Sequence, residues 1–285
     1  MPAKSYIAPA KLNLFLHVVG KRADSFHLLE SLVVFTAFGD RVTIDPHPHL
    51  ALDIDGPLAD ALHSEPNNLV WRAARLLADA FGKPDNIRIT LEKHIPIGAG
   101  LGGGSSDAAT VLMALAQWWG IDPQHPNLVT IAGQLGSDVP VCLNRTLSWM
   151  AGVGEQTRPI ASTFSMPVLL ANPRKTLITA DIFRRYGDAF SPSVAPPSDG
   201  MTSEQLLEYI TPMQNDLEQA AIQLVPEIAQ LVSVLQNLPG CKLARMSGSG
   251  ATCFGLFTNQ AALQAAHQQI THTHPQWWVQ PTELL

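Results

Sequence analysis

Between residues 96 and 106 the chain reads Pro96-Ile97-Gly98-Ala99-Gly100-Leu101-Gly102-Gly103-Gly104-Ser105-Ser106, with Asp107 next. From Gly98 on, nine residues hold five glycines and two serines. Such a composition costs chain entropy and is kept where the backbone must come close to something. Glycines let several N–H groups converge on an anion, and the helix predicted from Ser106 adds the positive end of its dipole. Ser105 and Ser106 add hydroxyls, as hydrogen-bond donors or as ligands to magnesium. The guest this chemistry suits is a chain of phosphates. Two ionic residues elsewhere in the chain also stand out, Asp138 and Lys11. Alone, Ser137-Asp138 before Val139-Pro140 reads as a helix N-cap with proline in the first turn. Lys11 alone reads as a surface lysine, although its strand is otherwise apolar. Asn13 lies two residues on, on the same strand face.

Two familiar phosphate loops fit poorly. A Walker A loop ends in Gly-Lys-Ser/Thr, and no lysine stands at that place. Gly98, Gly100 and Gly103 satisfy the dinucleotide spacing, but a Rossmann unit needs a second strand after the helix. Here the helix runs into Gly120-Ile-Asp-Pro-Gln-His-Pro-Asn127, which is turn composition.

The loop resembles that of the GHMP kinases, whose ATP loop also lacks a Walker lysine. Further segments narrow the resemblance: Ala8-Pro-Ala-Lys11-Leu-Asn13, Arg22-Ala-Asp-Ser-Phe26-His27, Gly136-Ser-Asp138-Val-Pro140, Asn215-Asp-Leu-Glu218 and Met246-Ser-Gly-Ser-Gly-Ala-Thr-Cys253. In this order, from residue 8 to residue 257, they are similar to the 4-diphosphocytidyl-2-C-methyl-D-erythritol kinases. The resemblance implies transfer of the ATP γ-phosphoryl group to the 2-hydroxyl of a small cytidyl-diphosphate substrate in the non-mevalonate route to isoprenoid precursors, with ATP as co-substrate and Mg2+ expected. It implies Asp138 as base and Lys11 beside it, Asn13 as a hydrogen-bonding companion, and residues 96–106 on the phosphates. Lys93, Asn67 and Asn68 match positions near the adenine. For the acceptor it implies Phe26 stacking on cytosine, His27 at the base edge, and Thr179 and Phe183 as further contacts. The family usually has Asp-Gly-Tyr-His where this chain has Asp24-Ser25-Phe26-His27. Stacking survives that change, whereas Ser25 reaches positive φ less freely than glycine. A homoserine or mevalonate type of GHMP kinase, and a non-catalytic sensor on the same fold, are the alternatives; retention of Lys11 and Asp138 argues against the sensor.

The elements that must position these residues are partly legible. Alternation over Ser5–Val19 predicts a strand, and Leu28–Phe38 and Arg41–Asp45 predict two more around a turn at Gly39-Asp40. Asn67–Phe81 has helical spacing with Asn67 or Asn68 as cap, Ile87–Leu91 alternates as a strand, and helices are predicted over Ser106–Trp118 and Leu128–Leu135. Strands are expected over Thr146–Val153, Pro167–Ala171, Leu243–Met246 and Thr252–Phe257, and helices over Leu206–Ile210 and Leu217–Leu238, the latter broken at Pro226. Phe190–Ser203, rich in proline and serine, is predicted irregular. The mixture without a regular βαβ cycle predicts α+β. The resemblance adds an N-terminal ATP domain like ribosomal protein S5 domain 2 (residues 1–160) and a ferredoxin-like C-terminal domain (residues 161–285).

The 285 residues suit two domains, with 46% hydrophobic residues for their cores and a net charge of −6. No basic block exists to neutralise phosphates, so nucleic acid is disfavoured as a partner. The longest apolar stretch, Ala108–Trp119, is 12 residues and too short for a membrane, and the N-terminus lacks a signal-peptide core. Three cysteines (Cys142, Cys241 and Cys253) read as free thiols of a cytoplasmic protein. His47-Pro-His49 and His272-Thr-His274 lack neighbouring carboxylates and read as solvated edges rather than a metal site. No obligate protein partner is evident.

Overall fold

The computed structural model describes residues 2–59, 62, 67–162, 164–187 and 189–285. In chain order it has strands β1 (Lys4–Lys21), β2 (His27–Pro46) and β3 (Ala51–Asp55), helix α1 (Leu69–Phe81), strand β4 (Ile87–Glu92), and helices α2 (Gly103–Trp119), α3 (Pro126–Leu135) and α4 (Val139–Asn144). Then come strands β5 (Ser148–Gly152), β6 (Gln156–Pro159) and β7 (Pro167–Asn172) and helices α5 (Thr179–Tyr186), α6 (Ser203–Ile210), α7 (Glu218–Leu224) and α8 (Glu227–Gln236). Strands β8 (Cys241–Met246) and β9 (Cys253–Phe257), helix α9 (Gln260–Thr273) and strand β10 (Trp278–Glu283) complete the chain. The fold is α+β. It divides into two compact units that interleave along the sequence, one of residues 1–11, 38–97 and 102–145, the other of residues 12–37, 98–101 and 146–285.

In the first unit β4 pairs antiparallel with residues 41–46 of β2 and parallel with β3. Ile87, Ile89 and Leu91 of β4 are buried and alternate with partly exposed residues, the period-two signature of a half-buried strand. Helix α1 starts where the Asn68 side chain accepts from the Val70 amide and ends at left-handed Gly82, a side-chain N-cap and an αL C-cap. Helix α2 is buried from Ser106 through Leu112 without a break. A helix apolar nearly all round belongs inside, and α1, α3 and α4 pack on it.

In the second unit residues 29–33 of β2 pair antiparallel with β5, and β5 with β6. A separate antiparallel sheet has the order β10-β7-β9-β8. Taken in sequence these four strands stand 4-1-3-2, with helices between the first and second and between the third and fourth, the split βαβ arrangement of ferredoxin-like domains. Helices α8 and α9 pack on this sheet around Leu169, Ile228, Leu231, Phe257, Leu263 and Ile270.

Three expectations change. Gly39-Asp40 is no turn: β2 runs unbroken through it. A Cβ at Gly39 would collide with the Ala8 carbonyl and stand 2.7 Å from Pro9 Cα, so the glycine is there for close approach of two backbones. Helix α2 begins at Gly103, before Ser106, because glycines of the loop form its first turn. Strands β3, β6 and β10 and helix α9 were not foreseen. Residues 189–199 carry neither helix nor strand, as their composition predicts.

Candidate active site

Lys11 sits in a stretch of β1, Ala8–Val18, that is almost wholly buried, and is itself 4% exposed. A lysine there needs a partner, and its Nζ lies 2.8 Å from Asp138 Oδ2. Asp138 stands at the N-cap of α4 with proline in the first turn, yet its side chain makes no capping hydrogen bond. The carboxylate is spent on Lys11 instead, and at 35% exposure it stays within reach of a ligand.

The glycine loop meets that pair at Gly102, where a Cβ would stand 3.0 Å from Lys11 Cε. Upstream the loop carbonyls are tied to the protein: Leu177 N–H donates to Gly98 O, Thr252 N–H to Ala99 O and the Ser247 hydroxyl to Gly100 O (3.3, 3.1 and 3.0 Å). Gly100 has φ +74°, and a Cβ on it would strike the Ser247 carbonyl and lie 2.8 Å from Gly250 N. Ser247 also accepts from the Asn13 amide at 3.1 Å. The Met246–Gly248 turn is pinned in turn by Asn215, whose amide donates to Met246 O and Gly248 O at 2.9 and 2.8 Å. Helix α2 has no side-chain cap at Gly102, so its first-turn amides, which have no intrahelical acceptor, are donors for an anion.

Lys93 does not offer a free ammonium. It is 3% exposed, and its Nζ donates to Asp107 Oδ2 at 2.6 Å and to Asp40 Oδ2. Burial alone would lower Lys93, but the two carboxylates outweigh it and the net shift is upward. Burial pushes the Asp107 carboxyl up to about 8 against the pull of Lys93. Two carboxyl groups share one ammonium, and Asp107, the one pushed up, mostly keeps its proton at neutral pH, so the cluster holds one ammonium, one carboxylate and one neutral carboxyl. Asn68 caps α1, and Asn67 is an exposed turn residue beside it.

Of the residues expected at the acceptor, Phe26 is 61% exposed, unusual for a large apolar ring. It ends a turn in which Arg22 N–H donates to Phe26 O at 2.7 Å and Ser25 N–H to Arg22 O at 3.0 Å. Ser25 takes φ +70°, a conformation that glycine reaches more freely. The His27 ring stacks on Phe183 at 5.0 Å and 20° and meets the edge of Tyr186 at 6.0 Å, so one face of Phe183 is already covered. The Thr179 and Ser249 hydroxyls are 2.9 Å apart, tying the start of α5 to the Ser247–Gly250 turn. Asn13 is buried, its side-chain amide donating to Ser31 Oγ at 2.8 Å; it braces two strands.

The structure thus brings together Lys11, Asp138 and Gly102, and separately His27 and Phe183. It gives Lys93 and Asn68 intramolecular work. Sequence reasoning missed Asp40 altogether and gave no role to Asp107, Ser247 or Asn215, although the motifs quoted above contain the last three. The missed signal at Asp40 was an acid inside an otherwise strand-like run.

Residues 68–145 match the family model described as GHMP kinases N terminal domain, and residues 199–276 match GHMP kinases C terminal. A 4-diphosphocytidyl-2-C-methyl-D-erythritol kinase of Cereibacter sphaeroides is 46% identical over 280 residues, 98% of both chains. That of Paramagnetospirillum magneticum is 42% identical over the full length of both. Among solved structures, a crystal structure of 4-(cytidine 5'-diphospho)-2C-methyl-D-erythritol kinase superposes with a TM-score of 0.83 at 33% identity, covering 99% of each chain.

Proposed function

From the premise that the chain belongs to the 4-diphosphocytidyl-2-C-methyl-D-erythritol kinase family of the GHMP kinases, we propose that it phosphorylates the 2-hydroxyl of that substrate with ATP and that Asp138 and Lys11 carry the transfer. As the hydroxyl oxygen bonds to the γ-phosphorus, its proton passes to Asp138, the bond from phosphorus to the β,γ-bridging oxygen breaks, and ADP leaves. Lys11 stabilises the charge that develops on the attacking oxygen. The first-turn amides of α2 and the backbone of residues 96–106 hold the phosphates. Phe26 offers its exposed ring to the cytosine face, and His27, with Phe183 behind it, offers an edge contact; Thr179 is a further contact, and Asn13 supports the site through the strands it braces. The observation that carries this reading is the 2.8 Å Lys11–Asp138 pair with Gly102 packed on the lysine.

Among the described residues no group of three or more His, Cys, Asp and Glu side chains forms a metal cage. The site fits a magnesium ion that arrives on the triphosphate and takes its oxygens chiefly from phosphate and water. Ser106, whose buried hydroxyl has no hydrogen-bond partner among the described residues, is the side chain suited to join it, with Ser105 beside it. The ion would supply charge neutralisation on the phosphates. The matched models fall on either side of residue 160, which supports domains of residues 1–160 and 161–285 along the sequence, while the compact units take residues 12–37, 98–101 and 146–160 into the second. Free thiols at Cys142 and Cys253, both buried, support a reducing compartment such as the cytoplasm.

The test is ADP release with 4-diphosphocytidyl-2-C-methyl-D-erythritol against homoserine, mevalonate and galactose. Asp138→Asn should lower kcat by about 10²–10⁴-fold, the usual worth of a general base, with ADP affinity little changed. Near-normal turnover in the folded variant would reduce Asp138 to the start of a helix. Preference for homoserine or mevalonate would move the acceptor to another GHMP class.

A further inference from the structure

Asp40 is a fully buried carboxylate on β2 that the chemistry above does not use. Its Oδ1 accepts from the amides of His94 (2.5 Å) and Ile95 (2.8 Å), and its Oδ2 accepts from Lys93 Nζ. Lys93 spans from there to Asp107 on α2. Lys93 stands just before the glycine loop and Asp107 just after it, so one ammonium ties the two ends of the segment 94–106 together, and Asp40 fixes the two amides that lead into it. The packing is tight: a Cβ on Gly103 would stand 3.2 Å from Ile95 Cγ2 and 3.5 Å from Lys93 Nζ.

Stability does not explain this arrangement. A buried ion pair and a buried carboxyl are costly to desolvate, and well-packed apolar residues commonly do as well or better. What apolar packing does not provide is a directional tie at both feet of a loop that holds five glycines in nine residues, a segment with many backbone states open to it. If only a fraction of molecules hold the loop in the phosphate-binding shape, the apparent dissociation constant rises by the inverse of that fraction. We propose that Asp40, Lys93 and Asp107 form a clasp that holds the glycine loop in its nucleotide-binding shape, with Asp40 and Asp107 acting as positioning residues that set affinity for ATP and leave the acceptor site alone. This rests on the reading of residues 96–106 as the ATP loop.

The experiment is ADP calorimetry on wild type, Asp40→Asn and Asp107→Ala, with steady-state kinetics for both substrates and thermal unfolding in parallel. The clasp predicts that ADP Kd and KM for ATP rise about tenfold, as when the competent fraction falls to a tenth. KM for the cytidyl substrate and kcat at saturating ATP should stay within about twofold. Asp107→Ala removes the Lys93 acceptor beyond the loop and leaves the Lys93–Asp40 pair electrically neutral, so it decides the matter if Asp40→Asn does not fold. A lowered unfolding temperature with ADP affinity unchanged overturns the clasp and makes the three groups a feature of the core only. An equal rise in KM for both substrates overturns it too, because the effect would not be confined to the loop. Wild-type protein that binds no ADP would overturn the ATP reading, and the clasp with it.

Discussion

The glycine loop and the turn Arg22–His27, the two segments assigned to the two substrates, are built on opposite plans. The loop has three successive carbonyls tied down, a glycine at φ +74° with no room for a Cβ, and a buried side-chain tie between its feet. The turn is exposed, is closed by two backbone hydrogen bonds and a surface Arg22–Asp24 pair at 2.7 Å, and holds a serine at φ +70°. The difference suits the two roles proposed for them. Phosphate oxygens are read by backbone N–H groups, whose aim is set only by fixing the chain. A pyrimidine face is read by the flat side of a ring, which tolerates small shifts but must not be buried beforehand. Surface ion pairs of the Arg22–Asp24 kind contribute at most about 1 kcal/mol, so the turn is held lightly.

The sharpest way to break the contrast is Gly100→Val. Its Cβ would strike the Ser247 carbonyl and crowd Gly250, and valine is poorly suited to φ +74°. Overpacking and left-handed strain together should cost about 2–4 kcal/mol in denaturant unfolding and abolish ADP binding by calorimetry. A Gly100→Val protein with wild-type unfolding and wild-type ADP affinity would show that the loop is no more constrained than the turn.

Phe26→Ala tests the other side. The ring is 61% exposed, so its removal leaves little cavity and stability should hardly move. Loss of a stacking face should cost about 1–3 kcal/mol of acceptor binding, a rise in KM of about 5- to 150-fold, with KM for ATP unchanged. Unchanged acceptor kinetics would leave Phe26 without a role and the acceptor unidentified by this turn.

How much of this was legible in the sequence divides along the same line. Lys11 could be noticed because a lysine on an apolar strand is anomalous, and the glycine loop because its composition is costly. Both signals are local. Asp40 was hidden because Gly39-Asp40 has turn composition, and what makes the glycine necessary is the backbone of Ala8 and Pro9, some thirty residues earlier. One sequence does not tell a glycine kept for a bend from one kept for close approach. Lys93 was assigned to the nucleotide by its match to a family position, whereas its two carboxylate partners come from β2 and α2, a pairing that only tertiary structure creates. Helix α9 escaped because its glutamines, histidines and alanines make a weak stripe, with Leu263, Ala266 and Ile270 as its buried face.

The smallest effect belongs to Ser25→Gly, and here two magnitudes must be set against each other. Holding a non-glycine residue in the left-handed region costs about 1–2 kcal/mol, which glycine would relieve. Glycine also gives the unfolded chain more freedom, which takes back about 0.4–1 kcal/mol. The turn bonds run through backbone N–H and C=O groups, which a change of side chain leaves in place. The net expectation is stabilisation of between zero and about 1.6 kcal/mol, read by denaturant unfolding, with KM for the cytidyl substrate within about twofold of wild type. Ser25→Val should go the other way by about 1–2 kcal/mol, since a β-branched residue is a genuine outlier at positive φ. Should Ser25→Gly instead raise acceptor KM by tenfold or more, the serine would be a substrate contact in its own right, and the turn would be as tightly specified as the glycine loop.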